Sequence, residues 1–224
     1  MKVTLDEKIL SFLLVNYSYI LGLGLLHGKM GGVLFFILYS HYTKCGIYEE
    51  YAEMLMKDIY SKICDDISIN FEIGLCGIGW CVEYLIHNKL VNGNTDEILF
   101  EIDQKVMCVD PTRIDDYSMS TGLGGILIYV NARIKSFERE MPFDLEYLTA
   151  MREKIKSIVP ENNSLKGYID EFERIISGNI DYNSHLEFPN FIFGELPIIT
   201  DKVSNYPLGI HNGLTGVMLK KILK

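Results

Sequence analysis

Residues 33–39, 78–86, 126–130 and 217–223 are apolar on nearly every side, the last with two lysines inside it. A helix that is hydrophobic all round is buried all round, so each of these predicts an inner helix. Segments of another character lie between them. Over 47–63, Ile47, Tyr51, Leu55, Ile59 and Ile63 recur every four residues while Glu49, Glu50, Glu53, Lys57 and Asp58 fill other faces, which predicts a surface helix with one apolar stripe. The same pattern predicts outer helices over 96–107, with Asn94 and Glu97 as a capping box, and over 145–158, with Asp144 as cap and Pro160 as stop. Residues 9–26 predict a buried helix running into a Gly-rich turn. Asp6 and Glu7 precede that stretch, Asn16, Tyr17 and Ser18 interrupt it, and no small-residue cleavage site closes it, which argues against a signal or spanning segment.

A Gly-x-x-Gly precedes each inner segment: Gly28 to Gly31, Gly74 to Gly77, Gly122 to Gly125 and Gly213 to Gly216, at spacings of 46, 48 and 91. The last gap is close to two periods, and Gly167 near its midpoint predicts a fifth motif over 167–170 whose second glycine is lost. Units of this length are two-helix repeats, which cannot bury their faces alone and must stack. The expectation is one all-α domain over 1–224, built of helical hairpins in an open solenoid or a ring. Glycine permits a tight turn and close helix approach at each helix start. Helix starts gathered at one end would offer unpaired N–H donors to an anionic or carbonyl-bearing ligand. Residues 180–207 depart from the repeat. They hold Pro189, Pro197 and Pro207 and the run Phe188-Pro-Asn-Phe-Ile-Phe193, and proline excludes a regular helix there. The segment reads as a linker whose aromatics pack on the outer layer, or as a flap or docking strip over the helix starts.

Composition narrows the partners. A formal charge of -9, with no Lys/Arg block longer than a pair, opposes attraction to phosphate backbones, so no nucleic acid partner is expected. With 48% hydrophobic and 23% charged residues, the chain needs neither disorder nor a membrane. Cys45, Cys64, Cys76, Cys81 and Cys108 are odd in number and lack a paired CxxC, which predicts reduced thiols in a cytoplasmic protein.

The strings Gly24-Leu-Leu-His-Gly-Lys-Met-Gly31, Gly74-Leu-Cys-Gly-Ile-Gly-Trp80, Ser120-Thr-Gly-Leu-Gly-Gly-Ile126 and Ile210-His-Asn-Gly-Leu-Thr-Gly216 resemble the glycine motifs of lanthionine synthetase C-like proteins, along nearly the whole chain. The resemblance implies an α/α toroid, two concentric layers of helices around a cavity. Five motifs against the family's usual seven imply a small or incomplete one. The family's bacterial cyclases add cysteine thiols to dehydroalanine or dehydrobutyrine in a precursor peptide. A zinc ion held by two Cys and one His lowers the thiol pKa, the thiolate being the nucleophile. Those ligands lie in the two positions just before a glycine motif. Here these positions hold Leu26 and His27, Glu72 and Ile73, Ser120 and Thr121, Leu165 and Lys166, and His211 and Asn212, with no cysteine. No zinc cofactor is therefore expected.

His27 matches the family's Gly-Leu-x-His-Gly string, whose His is thought to act in proton transfer, work that suits imidazole at neutral pH. His211 stands where the family places the first Cys of Cys-His-Gly, and Glu72 holds the corresponding position in the second repeat. These three are the candidate site residues. Glu72 also suits a helix N-terminus through the dipole. Cys76, Cys81 and Trp80 read as core. The resemblance implies a protein that binds a precursor peptide, or its modifying enzyme, and assists the peptide's maturation without a zinc-thiolate site. The alternatives are a small α/α-toroid enzyme using His27 and His211 as acid, base or rearranged metal ligands, and a helical-repeat interaction protein without chemistry.

Overall fold

A computed structural model describes residues 3–63, 67–136, 141–160, 163–179, 185–200 and 202–223. The chain is all-helical, with no strand among these residues. In order the α-helices are α1 (Leu5–Asn16), α2 (Lys29–Thr43), α3 (Ile47–Lys62), α4 (Leu75–His87), α5 (Thr95–Ile98), α6 (Phe100–Met107), α7 (Leu123–Ser136), α8 (Leu145–Lys156), α9 (Asn163–Ile176) and α10 (Leu214–Ile222). No described helix is long and apolar enough to cross a membrane.

The four all-apolar segments become α2, α4, α7 and α10, and each begins directly after a motif glycine. The outer helix expected over 47–63 is α3, which buries Ala52, Leu55 and Ile59. Asp144 caps α8, its side chain accepting from the Tyr147 N–H. Three expectations need correction. Residues 9–26 give a helix followed by a turn, but the helix is not buried all round: α1 starts at a Thr4–Glu7 capping box, stops at Asn16 and buries Ile9 and Leu13, and a 3-10 turn over Tyr17–Tyr19 follows. The outer helix over 96–107 is broken at Leu99 into α5 and α6, and Glu97 takes the Asn94 side-chain amide. Gly167 opens no motif. It lies exposed inside α9, where a Cβ would meet nothing, and α9 buries only one stripe through Leu165, Phe172 and Ile175.

The chain divides into two compact units, Met1–Ile67 with Phe188–Lys224, and Ser68–Glu187. In the first, α2 pairs with α3 as a hairpin and packs on α10, which takes α1 as its other neighbour. The Tyr17 hydroxyl meets Thr215 Oγ1 at 2.7 Å in this core. In the second, α4 packs on α7, α6 covers α4 and α9 covers α7. Trp80 is buried there between the rings of Phe71 and Tyr84, as its reading as core requires. Of the irregular segment 180–207, residues 180–184 and Asp201 lie outside the described residues, as does Cys64. The remainder forms 3-10 turns at Asn190–Phe193 and Val203–Asn205 joined by extended chain.

Candidate functional site

All four glycine motifs share one backbone device. The first N–H of each inner helix donates to the carbonyl seven residues earlier: Lys29 to Gly22 (2.9 Å), Leu75 to Ser68, Leu123 to Asp116 and Leu214 to Pro207 (each 2.8 Å). The second N–H does the same in three of them, Met30 to Leu23, Cys76 to Ile69 and Thr215 to Leu208. The preceding loop thus folds back over the helix start and takes the first one or two of the donors that a helix N-terminus leaves open. The first N–H groups of these helices are therefore not free for a ligand, contrary to expectation. It also explains the glycines. A Cβ at Gly28, Gly74, Gly122 or Gly213 would run into the carbonyl of Gly22, Ser68, Asp116 or Pro207, and one at Gly31, Gly125 or Gly216 into that of Leu25, Met119 or Ile210. The backbone angles of Gly28, Gly74 and Gly213, with φ from −112 to −133 and ψ extended, are open to any residue, so close approach alone requires glycine.

What the loop leaves accessible is the side chain just before the first glycine. His27, Ile73, Thr121 and Asn212 are all exposed. Within each unit the loops then join in pairs. The Leu26 carbonyl accepts from the Ile210 N–H (2.8 Å) and the His211 N–H (3.2 Å), and the Ser120 carbonyl accepts from the Phe71 N–H (3.0 Å) and the Glu72 N–H (2.9 Å). In both pairs the acceptor is two residues before its glycine, and the donors are three and two residues before theirs. The first and last motifs are therefore joined as the second and third are.

That joint brings His27 and His211 together. Their ring centroids lie 5.6 Å apart at 87°, edge to face, with His27 exposed and His211 half-buried. The Pro/aromatic segment closes over the His211 side. Ile192 O lies 3.2 Å from His211 Nδ1, the Asn212 N–H donates to Phe193 O (3.0 Å), and the Glu195 N–H donates to Asn212 Oδ1 (2.6 Å). Phe188 stacks on Phe193, with the Lys220 ammonium 5.5 Å from the Phe193 ring centroid. The segment thus lies on a helix-start loop of its own unit. Glu72, the third candidate, is half-buried and belongs to the other unit.

The zinc centre that the resemblance implies does not fit the side chains described. Cys76 and Cys81 are fully buried in α4, and neither lies in the two positions before a motif glycine. Among the described residues no group of three His, Cys, Asp or Glu side chains is arranged to hold a metal ion. The chemistry the histidine pair can itself supply is proton donation and acceptance.

One polar cluster escaped the sequence reading. Arg133 of α7, 1% exposed, donates to Asp103 through Nε and Nη2 (2.8 Å at the closest), to Glu83 Oε2 (3.1 Å) and to Asp96 (3.4 Å), while the Tyr129 hydroxyl donates to Asp103 (2.6 Å). Glu83 Oε1 finds no hydrogen-bond partner among the described residues. Burial pushes the Glu83 carboxyl up to about 7 despite Arg133, and raises Asp103 as well. The signal was available for Glu83, a charge inside the apolar segment 78–86, while Arg133 lies beyond the apolar run 126–130, where α7 continues to Ser136. An apolar groove of about 520 Å³ along α8 and α9, lined by Leu145, Leu148, Arg152, Ile175 and Ile176, shares no residue with the histidine pair.

No family model, curated protein or solved structure matches the chain.

Proposed function

We propose that the chain is a short, divergent lanthionine synthetase C-like protein that binds a ribosomally made peptide at its helix-start loops and assists the peptide's maturation through His27 and His211, without a zinc-thiolate step. The observation that carries this reading is the meeting of the two histidines, each named by its motif position, across the joint between the first and last motifs. A neutral imidazole accepts a proton from a thiol or hydroxyl, and its protonated partner returns one, which is the work such a pair can do near neutral pH.

The same joint supports a small α/α toroid. If repeats close into a ring, the last must meet the first as any repeat meets the next, and Leu26 with Ile210 and His211 repeats the pairing of Ser120 with Phe71 and Glu72. The pairing of α10 with α1 points the same way, since it gives the last inner helix an outer partner from the other end of the chain.

Calorimetric titration with precursor peptides encoded beside the gene tests the reading. Saturable binding to the wild type, weakened at least about tenfold in a folded His27→Ala, His211→Ala variant, is expected, a change of about 1.4 kcal/mol. Silence across those peptides contradicts it. Elemental analysis of protein purified without a metal-affinity tag tests the rearranged-metal alternative: about one zinc per chain, lost in the double variant, would replace the present reading with that of a histidine-built metalloenzyme.

A further inference from the structure

We propose that the segment from Phe188 to Glu195 is a positioning strap that fixes the tautomer of His211 and leaves its Nε2 as a proton acceptor beside His27. A carbonyl oxygen can only accept, so the contact between His211 Nδ1 and Ile192 O requires the proton on Nδ1. The lone pair of the neutral ring is then on Nε2, the reverse of the tautomer that an unrestrained imidazole favours. A backbone carbonyl on one ring nitrogen is the usual means by which proteins choose what the other nitrogen can do.

The strap is held by successive polar contacts to the two residues before Gly213. Ile192 O faces the His211 ring, Phe193 O accepts from the Asn212 N–H, and the Glu195 N–H donates to Asn212 Oδ1. Asn212 has φ +54, a left-handed conformation that Asn tolerates better than most residues, and this turns its side chain into the latch. Gly194 permits the closeness. Its φ of 57 and ψ of −145 suit glycine almost alone, and a Cβ there would collide with Asn212 Oδ1 and lie 2.7 Å from His211 Cε1 and 2.9 Å from Nε2. Phe188 stacks on Phe193 within the strap, and the Lys220 ammonium over Phe193 ties it to α10. Ile192, Gly194 and Asn212 are thus positioning residues, and the ligand that Nε2 would receive is a proton donor such as a peptide thiol, hydroxyl or amide.

The inference rests on the role given to His211 above, but its test needs no peptide, so the two can fail separately. Long-range proton–nitrogen correlation spectra of the full chain, labelled with 15N-histidine and held at about pH 9 so that imidazoles are neutral, report the tautomer, with His211→Gln assigning the signal. The expected result is a pyrrole-type shift on Nδ1 and a pyridine-type shift on Nε2 of His211 in the wild type. Gly194→Ala and Asn212→Gly, the second keeping the left-handed backbone while deleting the latch, should each reverse that pattern in folded protein. A wild-type His211 protonated on Nε2 overturns the inference, as does an Nδ1–H form that both folded variants leave unchanged. If neither variant folds, the wild-type spectrum alone decides.

Discussion

Arg133, almost fully buried, faces the carboxylates of Asp103, Glu83 and Asp96, and burial acts against its charge. The carboxylates of Asp103 and Glu83 more than offset that tendency, so Arg133 stays cationic. Replacing it with Met would leave Asp103 and Glu83 buried without a counter-charge, and chemical denaturation should show a loss of about 3–5 kcal/mol. Glu83 carries a pH signature. Its folded value is about 7 against an ordinary 4.5, so between those values the folded state holds a proton that the unfolded chain has released. Its contribution is then complete below about pH 4.5 and is lost as the pH rises to 7, amounting to on the order of 3 kcal/mol. Asp116 and Asp58, whose hydrogen bonds lower their pKa, act in the opposite sense at lower pH, so the test is the difference between proteins. Asp103, also raised by burial, acts in the same sense as Glu83, so Glu83→Gln should lessen the fall between pH 4.5 and 7 rather than abolish it, as measured by urea midpoints across that range. At this scale the sequence shows that charges sit in apolar helices, but the partner that makes each tolerable comes from another helix and leaves no local trace.

At the level of the element, the unit is a loop and the helix it covers. The loop's carbonyls take the helix's first N–H groups, and the motif glycines make room for those carbonyls. Gly122→Ala and Gly213→Ala place a carbon against a main-chain oxygen that cannot swing aside, and each should cost about 1–3 kcal/mol in thermal or chemical unfolding. Gly167→Ala should do the reverse. Its Cβ meets open space inside α9, and exchanging a mid-helix glycine for alanine should stabilise by about 1 kcal/mol. The two results together separate a glycine held by packing from one that merely keeps the spacing. The four true motifs were legible because an apolar run follows each Gly-x-x-Gly. Gly167 was misplaced because period alone cannot tell a covered helix start from a helix interior, and its missing second glycine was the warning. The folding back of the loops was not legible, since a bond between backbone groups seven residues apart requires no particular side chain beyond the glycine beneath it.

For the whole molecule, the arrangement that matters is which motifs meet. Position within a motif singled out His27 and His211, but nothing in the spacing says that the first motif joins the last. That pairing rests on burial of α2 against α10 and on one shared carbonyl, Leu26, which are properties of the folded chain. Glu72 shows the converse. Its motif position equals that of His211, yet it belongs to the other unit, and its backbone N–H serves the joint with Ser120. The irregular proline-rich segment was recognisable as a break in the helical pattern. Its docking on His211 and Asn212 depends on Gly194, whose unusual backbone the sequence did not advertise.

The most direct test of this account is a nuclear Overhauser measurement between imidazole rings. The chain has only five histidines, so selective labelling leaves few signals, and single substitutions at positions 27 and 211 assign two of them. Rings centred 5.6 Å apart should give cross-peaks between His27 and His211 carbon-bound protons, and these should vanish in His27→Gln while the protein stays folded. Absence of those cross-peaks in folded wild-type protein, with both rings assigned, would contradict the joint between first and last motifs and the site built on it.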